Sequence, residues 1–329
     1  MIRIVIFISF LLGVHLSLFG QANTNLDTKI MVISTTDGNK IMLRWVPIDY
    51  DTWQIGNNQG YDIKRFVVSE NGVRKSDLEI YESEVILQTG IVPLTSSQWD
   101  TQFPNSNLGQ LGKNLLYSAG TAIPPDPNLA DAINQREEKD SRHLFAAYAA
   151  DQDFEVAKGL ALGYEDQSAL SGYEYHYQVQ VSTNSQIAGG TLASLDQYAP
   201  LPSPTELSGI GEDHQAILQW NSQENINEYS NFVIEKSTDG IIFLPATDLP
   251  YLYITEEEEN NKFTTFKDSL SDNTTIFIYR VRGKSPFGIL SPPSDTIHIK
   301  GRPGRIPNFQ PAFRDAIEES NKNIVNWSD

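Results

Sequence analysis

The sequence of 329 residues contains no cysteine, and that absence excludes several kinds of chemistry. Disulfides, zinc–thiolate sites and cysteine nucleophiles are all ruled out, and so is the lipid-modified cysteine of a bacterial lipoprotein. Positive charge is also scarce, because 24 lysines and arginines stand against 42 aspartates and glutamates, which leaves a net charge of −18. A surface this acidic repels phosphate backbones and anionic membranes, so we expect no nucleic-acid partner.

The sequence also lacks the short motifs of catalysis and metal binding. The histidines show no HExxH or HxH spacing, and there is no GxSxG elbow, GxxxxGK[ST] loop or GxGxxG segment. The acidic run at 256–259 lacks the ligand spacing of a calcium loop, so a self-repelling solvated loop is the simpler interpretation and calcium binding the alternative. We predict no catalytic residue, no metal site and no cofactor, and we expect that the protein is not an enzyme.

The one long apolar run stands at the start of the chain. Arg3 precedes the segment IVIFISFLLGVHLSLF at residues 4–19, and the small residue Gly20 follows it. The run is short for a membrane span, which needs about 20 apolar residues, and its pattern is that of a secretory signal peptide. We predict a signal peptide over 1–20, cleaved near Gly20–Gln21, and no transmembrane span in the mature chain. An uncleaved N-terminal anchor is the alternative.

One pentapeptide pattern occurs three times in the chain: IMLRW at Ile41–Trp45, AILQW at Ala216–Trp220 and NIVNW at Asn323–Trp327. In each copy an apolar residue stands two positions before the tryptophan, and a polar residue lies between them. Alternation with period two is typical of a strand that has one buried face. The pattern therefore predicts three equivalent strands, each with its tryptophan in a core.

The first two copies continue in parallel beyond the tryptophan. Each leads through an aromatic-x-Ile segment to a turn dipeptide, Asn71–Gly72 or Asp239–Gly240, and such pairs favour type I′ turns. Later in each copy an aspartate precedes the tyrosine of a Tyr-x-Val segment by eleven residues. The recurring pairs are Trp45 and Trp220, Tyr61 and Phe232, Ile63 and Ile234, Asp166 and Asp268, Tyr177 and Tyr279, and Val179 and Val281.

Many short strands separated by turns predict a mainly β fold built from two-sheet sandwiches. With these recurring residues the chain resembles fibronectin type III domains, and the segment FVIEKSTDGIIF is similar to such modules in secreted Bacteroidota proteins. The resemblance implies tandem fibronectin type III-like β-sandwiches over 21–199 and 200–301, with a third, truncated module beginning at 302–329. It also places the corner tyrosine of each sandwich at Tyr175 and at Phe277. Because Phe277 has no hydroxyl, either the second module lacks the tether that the corner tyrosine makes or the strand register differs there.

The first copy is longer than the second. The interval from Arg65 to Asp166 is 101 residues, whereas the matching interval from Lys236 to Asp268 is 32. The extra segment, about 74–163, has helical periodicity and predicts an α-helical insertion of three short helices that pack on the sandwich, over its exposed edge or its outer face. For the first of these helices, Ser106 or Asn107 is the expected N-cap and Gly120 the expected end. We consider three roles for the insertion: a cover for a sheet edge, a binding groove, or a spacer between domains.

Four aromatic side chains are the candidates for ligand contact in such a groove. Trp53 and Trp99 lie in segments rich in Asn, Gln and Ser, while Tyr117 and Tyr148 lie in the predicted helices. Exposed tryptophan and tyrosine rings can stack on a sugar or hold a peptide. These four residues therefore define the predicted contact surface.

These features predict a non-catalytic array of binding, adhesion or spacer modules, exported to the extracellular space or the outer cell surface. The expected partner is an extracellular protein or glycan that the sequence does not identify. The third pentapeptide ends two residues before Asp329, too few for a sandwich, so we expect the sequence to be a fragment of a longer protein. The alternative function is an N-terminal accessory region of a larger secreted hydrolase whose catalytic domain lies beyond Asp329.

Overall fold

A computed structural model describes residues 28–120, 129–247, 251–252, 262–303, 317–319 and 322–324. Two antiparallel β-sandwiches occupy most of this part of the chain. The predicted signal peptide, the acidic run at 256–259 and Trp327 lie outside the described residues.

The first sandwich is built from two sheets that face each other across one core. Its strands are β1 (Ile30–Thr36), β2 (Ile41–Pro47), β3 (Tyr61–Glu70), β4 (Val73–Arg74), β5 (Val85–Ile91), β6 (Gly163–Asp166), β7 (Tyr173–Val181) and β8 (Asn184–Ala193). One sheet has the order β1–β2–β6 and the other β4–β3–β7–β8, and β5 also pairs with β3. A 3-10 helix at Leu195–Gln197 leads out of this sandwich.

The second sandwich repeats this strand order. Its strands are β9 (Thr205–Glu212), β10 (Gln215–Asn221), β11 (Asn231–Ser237), β12 (Leu244–Pro245), β13 (Tyr251–Leu252), β14 (Phe263–Ser269), β15 (Ile276–Lys284) and β16 (Ile297–Lys300). The sheets are β9–β10–β14 and β12–β11–β15–β16, with β13 also paired to β11. The predicted tandem fibronectin type III-like fold is therefore confirmed. A further antiparallel pair joins β17 (Ile317–Glu319) to β18 (Lys322–Ile324), which contains the first two residues of the third pentapeptide.

The α-helices in the described ranges belong to the first module, and all of them except α1 lie between β4 and β6. They are α1 (Tyr50–Gln59), α2 (Asp77–Glu82), α3 (Ser96–Gln102), α4 (Asn107–Tyr117), α5 (Leu129–Gln152) and α6 (Phe154–Gly159). The predicted helical insertion is thus present, but it consists of five helices, α2 to α6, rather than three short ones, and α5 alone has 24 residues. The insertion also contributes the edge strand β5. As predicted, Ser106 caps α4, by accepting a hydrogen bond from Gly109 N at 3.0 Å, but α4 ends at Tyr117 rather than at Gly120.

Each sandwich has its own core, organised around the repeated tryptophan. Trp45 and Trp220 are fully buried. Trp45 makes an edge-to-face contact with Tyr61 at a ring separation of 5.6 Å, and Trp220 makes the same contact with Phe232 at 5.3 Å. The predicted strand register, with both tryptophans on the inner face, is confirmed.

The two predicted hairpin turns differ from each other. Asn71 and Gly72 both have positive φ, 50° and 79°, as a type I′ turn requires. At the corresponding turn of the second module Gly240 has positive φ, at 74°, but Asp239 does not, so the type I′ prediction is wrong at Asp239–Gly240. The reason is local, because the Asp239 carboxylate accepts hydrogen bonds from Ile241 N at 2.8 Å and from Ile242 N and holds an alternative turn.

The corner position also differs between the modules, as predicted. The Tyr175 hydroxyl accepts a hydrogen bond from Leu170 N at 3.1 Å and ties the corner to the strand. Phe277 cannot form this bond. Both rings instead share a cationic neighbour, because the Arg65 guanidinium lies 4.6 Å from the Tyr175 ring centroid and Lys236 Nζ lies 4.4 Å from that of Phe277.

Candidate functional site

Trp53 and Trp99, two of the four predicted ligand contacts, are fully buried. Trp53 lies on α1, and its ring centroid is 6.1 Å from that of His143 on α5. Trp99 lies on α3 and packs against α4, where a Cβ added to Gly112 would stand 2.8 Å from the indole. The prediction that these two rings are exposed is wrong, because Trp53 packs against α5 and Trp99 packs between α4 and α6 of the insertion.

The two helices that carry these tryptophans, α1 and α3, each begin at a residue whose side chain caps the first turn. Asp49 accepts a hydrogen bond from Thr52 N at 2.7 Å at the start of α1. Thr95 and Gln98 form a capping box at the start of α3, where each side chain bonds the other residue's backbone N–H. The Thr-x-x-Gln spacing is visible in the sequence and is the signal that places Trp99 on a helix rather than in a loop.

The side chains of Tyr117 and Tyr148 remain partly exposed to solvent. Tyr117 ends α4 with 48% of its surface exposed, and its hydroxyl donates a hydrogen bond to Leu94 O at 2.5 Å. Tyr148 lies half-buried on α5, where burial and the charge of Asp151 raise the pKa of its hydroxyl. Ligand contact by these two tyrosines stays a prediction.

The insertion forms a third layer over the β1–β2–β6 sheet. Met42, Arg44 and Val46 on the outer face of β2 are buried, as are the inward-facing residues of that strand. Arg44 Nη2 donates to Ala147 O of α5 at 2.9 Å, and the guanidinium forms an ion pair with Asp151. Burial lowers the pKa of Arg44 against the opposing effect of Asp151. This pair therefore fixes α5 to the sheet beneath it.

A second charged cluster joins the two sheets of the first sandwich. Asp166 on β6 accepts hydrogen bonds from Arg65 Nη1 at 2.5 Å and from the Tyr177 hydroxyl at 2.7 Å, and its other oxygen accepts from Ser168 Oγ. Burial by itself raises the pKa of Asp166, but the hydrogen bonds from Tyr177 and Ser168 and the charge of Arg65 outweigh it and hold that pKa below its ordinary value.

The same cluster occurs in the second sandwich. Asp268 on β14 accepts a hydrogen bond from the Tyr279 hydroxyl at 2.5 Å and pairs with Lys236 Nζ at 2.8 Å. Perturbed ionisable groups often mark an active site, but structural ion pairs perturb pKa values as well. Because the cluster occurs at equivalent positions in both modules, we interpret it as a structural link between the two sheets of each sandwich.

The histidines do not converge on one place. His176 lies on β7 and His298 on β16, and His214 lies in the turn between β9 and β10. Within the described ranges, no three histidine, aspartate or glutamate side chains are grouped so that they could hold a metal ion. Across the same residues, no helix has both the length and the apolar character that crossing a membrane requires.

The strand order defines a tandem array of fibronectin type III-like sandwiches. No protein-family model and no curated protein matches the chain. A crystal structure of the chicken CNTN1 FN1–FN3 domains is similar, with 12% identity and a TM-score of 0.32 over 84% of this chain and 66% of that one. So is that of the selenomethionine-substituted chicken interferon gamma receptor alpha chain, with 6% identity and a TM-score of 0.26 over 82% and 96% of the two chains. Superpositions this loose carry no argument about function.

Proposed function

We propose that this chain is an exported, non-catalytic array of modules that serves outside the cell as a binding, adhesion or spacer element of a bacterium in the Bacteroidota. One observation carries the proposal: the charged cluster centred on Asp166 in the first module recurs around Asp268 in the second. A reaction centre is specific to one site, whereas these groups join the sheets of two modules in the same way. The partner that suits such an array is an extracellular protein or glycan.

The proposal assigns the contact surface to the exposed side of α4 and α5. Tyr117 presents an aromatic ring that is 48% exposed and is oriented by its hydrogen bond to Leu94 O. A ring held in this way loses little conformational freedom when it stacks on a sugar or packs on a peptide. The half-buried Tyr148 contributes a second ring on α5.

Binding and turnover are tested together on the full chain. The purified protein is incubated with arrays of glycans and extracellular peptides, and both retention and product formation are recorded. We expect retention of one class without product. Tyr117→Ala and Tyr148→Ala should weaken retention about tenfold or more, while Tyr81→Ala, which alters a ring that is 73% exposed on α2, serves as the matched control. Release of product would contradict the proposal, and unchanged retention in both variants would remove these tyrosines from it.

Export is tested by producing the full chain in a Bacteroidota host. We expect the protein to be accessible to protease added outside the cell, with a mature N-terminus near Gln21. Recovery of the uncleaved chain from the cytoplasm alone would contradict export without affecting the assignment of the fold.

A further inference from the structure

The two modules differ most in two segments, and these two segments are in contact with each other. One is the helical insertion of the first module. The other is the connection between β15 and β16, residues 285–296, since in the first module Ser182 and Thr183 alone join β7 to β8. Phe287 in the long connection is only 5% exposed, and it packs in the apolar cluster that the first sandwich shares with the insertion rather than in the core of its own module.

The place that receives this loop is the corner between α5 and α6. The Phe287 ring lies 5.7 Å from the ring of Phe154, the first residue of α6. Gly288 has a φ of 73°, and a Cβ added there would stand 2.7 Å from Gln152 O, so the two backbones meet where no side chain fits. Burial lowers the pKa of Lys284 at the base of the loop, and the charge of Asp153 opposes that shift.

The loop is fixed in shape by its own hydrogen bonds. Ser285 N donates to Ile289 O at 2.9 Å, and Gly288 N donates to Ser285 O at 2.9 Å. The Ser285 hydroxyl accepts from Phe287 N and from Ile289 N at 3.3 Å each. Phe287 therefore lies on a turn that is closed by internal hydrogen bonds. Such a turn loses little conformational entropy when it packs against the first module.

The corner itself is equally well defined. Asp153 caps α6 by accepting hydrogen bonds from Glu155 N at 2.8 Å and Val156 N at 3.3 Å. The preceding turn of α5 carries Asp151, which is paired with Arg44 of the first sheet. The corner is thus anchored to the first sandwich, and whatever docks on it is held relative to that sandwich.

We propose that the corner between α5 and α6 is a docking site for the Phe287 turn and that the insertion thereby locks the two sandwiches at one fixed angle. The modules then act as a single rigid body, in which the insertion is an orientation clamp. Burial of the Phe154 and Phe287 rings stabilises the contact between the modules. The close backbone approach at Gly288 fixes the position of the turn on the corner. The clamp does not depend on which partner the array binds. This proposal and the proposed function can therefore be contradicted separately.

The absence of native cysteine makes the angle measurable by spin labelling of the full chain. Ser185→Cys, at the start of β8, and Lys267→Cys, on β14, place one label on each module, and both sites are exposed. Double electron–electron resonance should give one narrow distance distribution. Phe287→Ala should at least double its width. Ile289→Ala, which shortens a 41% exposed side chain of the same turn, is the matched control and should leave the width unchanged.

A second variant guards against local unfolding of the altered loop. Phe154→Ala removes the opposing ring from the corner and leaves the second module intact, so it should broaden the distribution in the same way. Hydrogen exchange of peptides from β10 and β15 checks that the second core persists in both variants. A broad distribution in the unaltered labelled chain would overturn the proposal, and so would a narrow one in both Phe154→Ala and Phe287→Ala.

Discussion

Strands β2 and β10 carry the same pentapeptide pattern but have different surroundings. In β10 buried and half-exposed residues alternate, as expected for a sheet with one face towards water. In β2 every residue is buried, because α5 covers the outer face. The polar residue before the tryptophan shows the contrast most clearly, since Arg44 is 2% exposed and ion-paired while Gln219 lies half-exposed on its sheet. The number of layers in a module, rather than the strand motif, decides which positions tolerate change.

The largest predicted effect should not distinguish the two modules. Trp45→Ala and Trp220→Ala each remove a fully buried indole, and each should cost about 3–5 kcal/mol of the free energy of unfolding. Urea unfolding followed by hydrogen exchange of peptides from each module gives the two values separately. A loss below about 1 kcal/mol at either site would mean that its strand register is wrong.

The next prediction separates the modules sharply. Arg44→Ala leaves Asp151 without its partner beneath α5, and loss of one member of a buried pair costs about 3–5 kcal/mol. Gln219→Ala, at the equivalent position without a covering layer, should change stability by about 0.5 kcal/mol or less. Equal losses at the two positions, measured by urea unfolding, would contradict the third layer.

The acid stability of the first module should depend on Asp166. Because its folded pKa lies below the ordinary value of 3.8, the carboxylate stabilises the fold above that pH, and the contribution disappears as the pH falls through the folded pKa. Asp166→Asn should therefore cost about 2 kcal/mol near pH 6, with a difference from the native chain that shrinks below pH 3.8.

The measurement for Asp166 is urea unfolding between pH 2.5 and pH 6. Asp51→Asn, at an aspartate with an 84% exposed side chain, is the control and should follow the native profile. A constant difference between Asp166→Asn and the native chain across this range would show that the carboxylate charge is not what stabilises the link between the two sheets.

The smallest effect concerns the corner position. Tyr175→Phe removes the hydroxyl that accepts from Leu170 N and makes the first module resemble the second, which has Phe277 there. Loss of one such hydrogen bond should cost about 1 kcal/mol. Thermal unfolding measured by calorimetry resolves a change of this size. A stability equal to that of the native chain would mean that the corner bond is dispensable in the first module, and the second module has no such bond.

Local patterns predicted the modules better than they predicted the insertion. The first two Trp strands and both Tyr-x-Val strands occur in the structure as predicted, because period-two alternation and turn residues act over a few neighbours. Trp53 and Trp99 were misplaced because their helices are short and the indoles are covered by residues distant in sequence, among them His143 and Gly159. Proximity between distant segments leaves no local periodic signal.

The repeated sandwich and the helices between β4 and β6 can be predicted from the amino-acid sequence, because both rest on local periodicity. The position of those helices, the segments they contact and the ring contacts of Trp45 and Trp220 depend on the folded structure. Arg44 meets Asp151, and Phe287 meets Phe154, across long stretches of chain. Such contacts depend on how complete layers pack, since burial of apolar surface has no direction of its own. The burial of the outer face of β2 and the docking site for the Phe287 turn therefore arise only when the chain is folded.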